Sequence, residues 1–510
     1  MLQPTDTRNK DCDKEERVMG QAKRKALVQA AREAKSRPLK RSRFDLYALG
    51  AIYSLGRVLL EELQHWCDDE ERVLGVVCKD VTDQDYGWSL MVRDKIGRFR
   101  AVDCEVSLSS EKVAVARLRN RIGRAVEEGD FLALGDQGDE TNYPTDLLAV
   151  PAGTDPEKLH PFFRVLQDAP GRHPARAVLK EIGPWLAPTD PHFVREFQFS
   201  QFDQRLWEMY LWATFRELGF DVTQPEAPDF LCKGPGIAFT LEATTVTAST
   251  KGVLADHPNP QTPEEMAAFL AEYMPMKFGS SLTSKLNKKD KDGRPYWERG
   301  DAVDKPFLLG IADFHIAGGE DVIGSMSYTH SALWPYLYGH RVEWELIEGQ
   351  LMVRAVKQEN HRFKDKVIET GFFDLPGAEN ISAIVFSNAG TLAKFDRMGI
   401  AAGFIPDNHT YIRYGCRFNP DPNAVKPTWF SEIVSTPDYV EYWSDELQIF
   451  HNPNAKRPLD EGVFRGVTQH FFRDGEQYST TPEGVVLASH TGILQVVSAA
   501  PPEPTAATEV

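Results

Sequence analysis

Ala227–Val246 reads APDFLCKGPGIAFTLEATTV. Two short apolar runs flank a Lys-Gly-Pro-Gly reversal at 233–236, the pattern of a strand, a tight turn and a second strand. The second run carries Glu242 behind Ile237, Phe239 and Leu241, where an ionised carboxylate is costly to bury unless something opposite compensates it. A hairpin closed by Lys233–Gly236 sets Cys232 against Ile237 and Asp229 against Thr240. Period-two alternation then places Thr240, Glu242 and Thr244 on one face with Asp229, the two acids being diagonal neighbours about 7–8 Å apart. Carboxylates converging at one end of a sheet, with no Cys or His beside them, suit a hard cation, Mg²⁺ or Mn²⁺. Such an ion lowers the pKa of a bound water and stabilises charge on a phosphoryl oxygen. The alternative is that Asp229 caps a strand and Glu242 pairs with a basic side chain.

Upstream, SQFDQRLWEMYLWATFRELG (200–219) spaces Trp207, Tyr210, Leu211, Thr214 and Leu218 as a helix, with Gly219 as its stop. Glu208 lies in a row with Arg205, Trp212 and Phe215, so it is either a third acid of the site or the i, i+3 partner of Arg205. Strands follow at FDVT, DFLCKG and IAFTLEATTV, then a helix over Pro263–Lys289 and a buried strand PFLLGIADF. The order is αβββαβ. A helix near SALWPYLYG, a hairpin around VEWELIEGQLMVRAV and a strand from Ile381 come next.

A helical Glu, then PDF, then an acid on the next strand within an αβββαβ frame resembles the PD-(D/E)XK, or restriction-endonuclease-like, nuclease superfamily, over about Phe199 to Gly403. The resemblance implies Mg²⁺- or Mn²⁺-dependent cleavage of phosphodiester bonds. Pro228 and Asp229 match its Pro-Asp, Glu242 its second acid, and Glu208 the helical acid of many members, so Asp229, Glu242 and Glu208 are the implied metal ligands. The family usually carries Lys two residues after the second acid, where it steadies charge on the phosphate. Here that position is Thr244. The following helix offers KFGSSLTSKLNKK with Lys277 and Lys285 near one face, and Lys285, in a helix interior beside small residues, is the preferred substitute. If all these lysines are surface groups, the site is inactive. Thr244, Lys277 and Arg205 remain auxiliary candidates. Asp313 and His315 in GIADFH, and Lys394 and Arg397 in SNAGTLAKFDRMG, are secondary ones.

The 510 residues exceed one ordinary core, and 42% hydrophobic with 26% charged is the balance of globular protein. The expected organisation is α/β: a basic, disordered N-terminal arm at 1–44, an α+β module at 45–150, a linker with short helices at 151–195, the restriction-endonuclease-like core at 196–405, a C-terminal extension at 406–497 and a disordered tail at 498–510. Within the module a helix is expected around YALGAIYSLGRVLLEELQHW (47–66). Net charge of −17 argues against a uniformly nucleic-acid-binding surface but not against a local basic groove. Six scattered cysteines give neither a zinc site nor a disulfide framework, and no apolar run is long enough for a membrane span. The expectation is a cytoplasmic protein whose partner is nucleic acid, DNA ahead of RNA, and not a membrane. Two alternatives stand beside the nuclease: a catalytically inactive module of the same fold that binds nucleic acid or a protein, and a metal-dependent hydrolase of small phosphoesters.

Overall fold

The computed structural model describes residues 23–129, 134–140, 146–187, 190–247, 249–314 and 330–495. The chain forms two compact units, one of residues 1–145 with 181–186 and one of 146–180 with 187–510.

The first unit is a five-stranded antiparallel meander in sequence order, β1 (Ser36–Pro38), β2 (Leu60–Asp68), β3 (Val73–Asp80), β4 (Tyr86–Arg93) and β5 (Phe99–Leu108). The Glu111–Glu128 helix covers it. Ser110 caps that helix by accepting from Val113 N, and Gly129 ends it in the left-handed region at φ 71°. Its row Ala114, Leu118, Ile122 and Ala125 is buried on Val73, Val77 and Leu90. Its arginines are occupied: Arg121 lies 2.6 Å from Asp103, Arg117 pairs with Glu105, and Arg124 pairs with Glu128 at 2.7 Å. The helix expected over 47–66 is broken. Arg41–Ala48 and Ser54–Leu59 are helical, but Leu60–Asp68 is β2, paired with β3 across a bulge at Glu62–Gln64. Pairing along β3 overrides the local helical preference of LLEELQ.

The second unit is built on a mixed eight-stranded sheet, confirming the α/β class. Its strands are β6 (Asp221–Thr223), β7 (Phe230–Gly234), β8 (Ile237–Val246), β9 (Phe307–Asp313), β14 (Ala383–Phe386), β17 (Gln448–His451), β18 (Thr468–Arg473) and β19 (Glu476–Thr480). The spatial order is β19-β18-β17-β14-β9-β8-β7-β6. Between β9 and β14 lie two hairpins, β10 (His340–Ile347) with β11 (Gln350–Lys357), and β12 (Asn360–Phe363) with β13 (Lys366–Glu369). β15 (His409–Arg417), β16 (Thr428–Ile433) and β20 (Val486–Gln495) form a separate three-stranded sheet. Residues 406–497, read from the sequence as an extension, therefore share the central sheet through β17–β19. Phe464 packs into the aromatic cluster of Phe215, Phe220 and Phe239 at 5.5–6.2 Å. The sheet centre is apolar on both faces, every residue of β9 being buried.

Two helices flank β8. Phe202–Glu217 buries Phe202, Leu206, Trp207, Tyr210, Leu211 and Phe215. Met274–Asn287 buries Met274, Phe278, Leu282 and Leu286, a strict i, i+4 row. The helix expected over 263–289 begins at a Thr262–Glu265 capping box and passes through a π-helical turn at Phe269–Tyr273.

Lys394 and Arg397 are not surface phosphate contacts. Both are buried on Glu441, at 2.7 and 2.8 Å, and Arg413 joins through Glu446 at 3.0 Å. Burial raises the Glu441 carboxyl, but Arg397, Lys394 and Arg413 outweigh it and hold it well below the usual carboxylate range. His315 lies outside the described residues. Asp313 is buried at the end of β9.

Candidate active site

The β7–β8 hairpin closes more tightly than the sequence count suggests. Gly234 pairs with Ile237, leaving Pro235 and Gly236 as the two turn residues, with Gly236 at φ 76°. Pro then Gly at positive φ is the residue pattern of a type II turn. The register is Phe230↔Leu241, Leu231↔Thr240, Cys232↔Phe239, two residues away from the expected one. A shift of two preserves the face of every side chain. It also turns a diagonal relation into a direct one, because continuing outward from Phe230↔Leu241 sets Asp229 level with Glu242. Asp229 Oδ2 accepts a 2.7 Å hydrogen bond from Ala243 N, which fixes the carboxylate over β8.

The partner of Glu242 comes from the Met274–Asn287 helix. Lys285 Nζ lies 2.6 Å from Glu242 Oε1, the lysine side chain being 19% exposed and the glutamate 6%. Lys285 belongs to a second i, i+4 row, Lys277, Ser281 and Lys285, and each member meets the chain around β8. Lys285 reaches Glu242, Ser281 Oγ lies 2.9 Å from Thr244 Oγ1, and Lys277 donates to Ser249. The helix thus runs antiparallel to the β8 face that bears Glu242 and Thr244. Thr244, at the position where the resembled family carries lysine, instead locks this helix to the strand through Ser281. Small Ser281 permits the approach that lets the lysine four residues later arrive at Glu242. Lys277 lies eight residues from Lys285, about 12 Å along the helix, and stays with Ser249. Burial pulls its ammonium down, and Asp313 partly offsets that.

Glu208 approaches from the Phe202–Glu217 helix. Its Oε1 accepts from Gln204 Nε2 and its Oε2 from Arg205 Nη1, both at 2.8 Å. Gln204 in turn accepts from Thr245 Oγ1 at 3.2 Å, tying this helix to β8. Arg205 is shared with Glu196, whose Oε2 accepts from Nε at 3.0 Å, and with Asp190. Glu208 was expected as a third metal ligand; the structure places both of its oxygens in side-chain hydrogen bonds. Among the described residues no three Asp, Glu, His or Cys side chains converge into a metal-holding cluster. The reason is local, since Arg205 sits one turn before Glu208 on the same helix and claims it.

The three acids nevertheless feel one another. Burial, then the charges of Glu242 and Glu208, push the Asp229 carboxyl well up, with Lys285 opposing. Burial also raises Glu208; Arg205 and Gln204 oppose the rise and Glu242 adds to it. Tyr296, which the sequence reading missed, completes the wall. It is buried, and burial first, then the nearby Glu242 carboxylate, pushes its hydroxyl up. No periodic signal marks it, because it opens a single 3-10 turn, Tyr296–Glu298, too short to show a repeat.

One helix neighbour offers a separate test. Burial alone pushes Asp203 up to about 7 from an ordinary 3.8. Ionisation is then resisted in the fold and not in the unfolded chain, so this group's stabilising contribution is present below pH 3.8 and is lost as pH rises to about 7. Asp203→Asn is expected to match the wild type in chemical denaturation near pH 4. At pH 8 it should be more stable by about 1–2 kcal/mol, a discounted value for a partly exposed group.

Comparison of the chain with protein-family models, curated proteins and solved structures yields no match. Among the described residues no helix is long and apolar enough to cross a membrane.

Proposed function

We propose that the chain is a divalent-metal-dependent nuclease that hydrolyses phosphodiester bonds of nucleic acid, DNA ahead of RNA, at the Asp229–Glu242–Lys285 site. The observation that carries this reading is the 2.6 Å contact of Lys285 with Glu242. A cation from the next helix stands beside the second acid even though the strand carries Thr244 where the resembled family carries lysine. The αβββαβ order of elements around β8 supports the same restriction-endonuclease-like reading.

The donor set fits Mg²⁺ or Mn²⁺. Asp229 and Glu242 offer hard carboxylate oxygens, and burial first, then the charges of Glu242 and Glu208, raise the Asp229 carboxyl against the opposing Lys285. Mg²⁺ characteristically takes one or two carboxylates and completes its shell with water and substrate phosphate, so a two-acid site suits an ion that arrives with substrate. Bound there, the ion supplies charge neutralisation and a more acidic water. Asp229 and Glu242 would hold it. Lys285 would offer its ammonium to the negative charge that grows on the phosphate. Glu208, buried and held by Arg205 and Gln204, would act as a positioning residue.

The direct experiment incubates the protein with plasmid, single-stranded DNA and RNA in Mg²⁺ or Mn²⁺, beside Asp229→Ala and Glu242→Ala. Cleavage by the wild type alone is expected; equal cleavage by all three would assign it to a contaminant. The second reading, a nuclease-type fold that binds without cutting, draws on the closed Lys285–Glu242 pair and the engaged Glu208. It predicts no carboxylate-dependent Mn²⁺ uptake.

Asp229→Asn tests the charge crowding by itself. The amide keeps an acceptor for Ala243 N and removes the ionisation that the fold resists. Melting in EDTA is expected to rise by about 1–2 °C, the scale of roughly 1 kcal/mol in a unit of more than 250 residues, and added Mn²⁺ should no longer stabilise the variant. A lowered melting temperature in EDTA would mean that Asp229 is a structural cap.

A further inference from the structure

We infer that Lys288 and Arg299, gathered on the Tyr296 ring beside Glu242, form the contact for a second backbone phosphate, so that the substrate is a polynucleotide strand rather than a small phosphoester. This inference rests on the proposed nuclease reading and deepens it.

The loop after the Met274–Asn287 helix builds this wall. Lys288 leaves the helix with extended backbone, and Lys289 makes an antiparallel bridge with Pro295. Between them Asp290 closes the turn, its Oδ1 accepting from Asp292 N at 2.9 Å and Arg294 N at 2.8 Å. The bridge therefore returns Tyr296 alongside Lys288. The Tyr296 ring stacks on Phe307 at 6.0 Å, and Phe307 pairs with Thr240 of β8, two residues from Glu242. The loop is thereby anchored to the strand that carries the acid.

Three cations surround this ring. The Arg299 guanidinium is 4.3 Å from its centroid, and the Lys285 and Lys288 ammonium groups are each 5.8 Å away, within cation–π range. Arg299 is held in place by the carbonyls of Arg294 at 3.0 Å and Lys288 at 3.3 Å, with Asp290 at 4.0 Å. Lys288 is exposed, and among the described residues no carboxylate lies at ion-pair distance from it. Residues 285–299 hold six Lys or Arg and three Asp or Glu, a local excess of three positive charges in a chain of net −17.

This placement has a chemical consequence. One phosphate at Asp229 and Glu242 needs the ion and Lys285. Further cations on the same aromatic, within a Debye length of about 8 Å, exceed what a phosphate monoester or a nucleoside monophosphate would require. They match the next phosphate of a continuous backbone, which Lys and Arg neutralise without reading sequence.

The experiment measures binding of a fluorescein-labelled 20-nucleotide single strand in EDTA across a salt series, and steady-state cleavage in Mg²⁺. Wild type, Lys288→Glu, Lys288→Arg and, as a charge-matched control on the β10–β11 hairpin, Lys357→Glu are compared. Lys288→Glu is expected to weaken binding about tenfold or more and to lower the salt slope by about one contact, roughly 0.7 for a single strand. Its cleavage defect should fall on KM rather than kcat. Lys288→Arg should restore binding, and Lys357→Glu should bind as the wild type does. If the wild type cuts but Lys288→Glu binds equally well with the same slope, or if Lys357→Glu weakens binding as much, the inference is overturned while the nuclease reading stands. If the wild type neither cuts nor binds nucleic acid, both fail.

Discussion

Glu242→Gln is expected to abolish cleavage, lowering kcat by at least about a thousandfold, roughly 4 kcal/mol at 1.36 kcal/mol per decade, while leaving the fold intact. The two effects separate because of what surrounds Glu242. Its loss removes one of the two carboxylates proposed to hold the ion, so the proposed reaction would lose most of its charge neutralisation. Stability changes little, for two opposing reasons. Lys285 loses its partner, yet its side chain is 19% exposed and can turn to water, so the 3–5 kcal/mol typical of orphaning a fully buried ion applies only in small part. At the same time Asp229 and Glu208 lose a like charge that raises both of them. Plasmid cleavage and thermal melting of the same preparation check the pair of outcomes. A fully active Glu242→Gln protein would reduce the site to a structural ion pair.

Lys285→Ala is expected to move two readouts in opposite directions. Turnover should fall by about 10²–10³-fold, the scale set by removing one group aimed at developing charge. Mn²⁺ affinity should rise several-fold, because in the metal-free protein the ammonium occupies the oxygen that the ion needs. A lysine that merely neutralised Glu242 for stability would give the second change without the first. A lysine that mattered only for packing would give neither. Single-turnover cleavage at saturating Mn²⁺ separates lost chemistry from altered metal occupancy.

Much of this arrangement is legible in the sequence because it follows from short-range periodicity. Alternation along 237–246 identifies β8, and the Lys-Gly-Pro-Gly reversal identifies its hairpin. The face shared by Asp229, Glu242 and Thr244 survives the two-residue error in register, since parity alone decides it. The helical row containing Lys277 and Lys285 was visible as well. Which of these two lysines contacts Glu242 follows from how the strand and helix cross, with Ser281 on Thr244 as the point of contact.

What escaped is what depends on contacts distant in sequence or on loops. Leu60–Asp68 has helix-forming residues but pairs with β3, and local propensity carries no information about a partner strand. Tyr296 reaches Glu242 from a loop whose course is set by the Lys289–Pro295 bridge and the Asp290 turn, neither of which has a periodic signature. Lys394 and Arg397 read as exposed basics because their partner, Glu441, lies more than forty residues further along. Glu208 was the balanced case. The Arg205 spacing announced an i, i+3 pair, and the pair is what formed.

The central claim is that Asp229 and Glu242 would jointly hold a divalent ion, with Glu242 giving up its contact with Lys285. Its most direct test is an electron paramagnetic resonance titration of Mn²⁺ into the wild type, Glu242→Gln and Asp229→Asn, each with an oligonucleotide present. Uptake of one ion per chain by the wild type, lost in both variants, is the predicted result. No uptake by the wild type, or uptake that neither substitution changes, would contradict it.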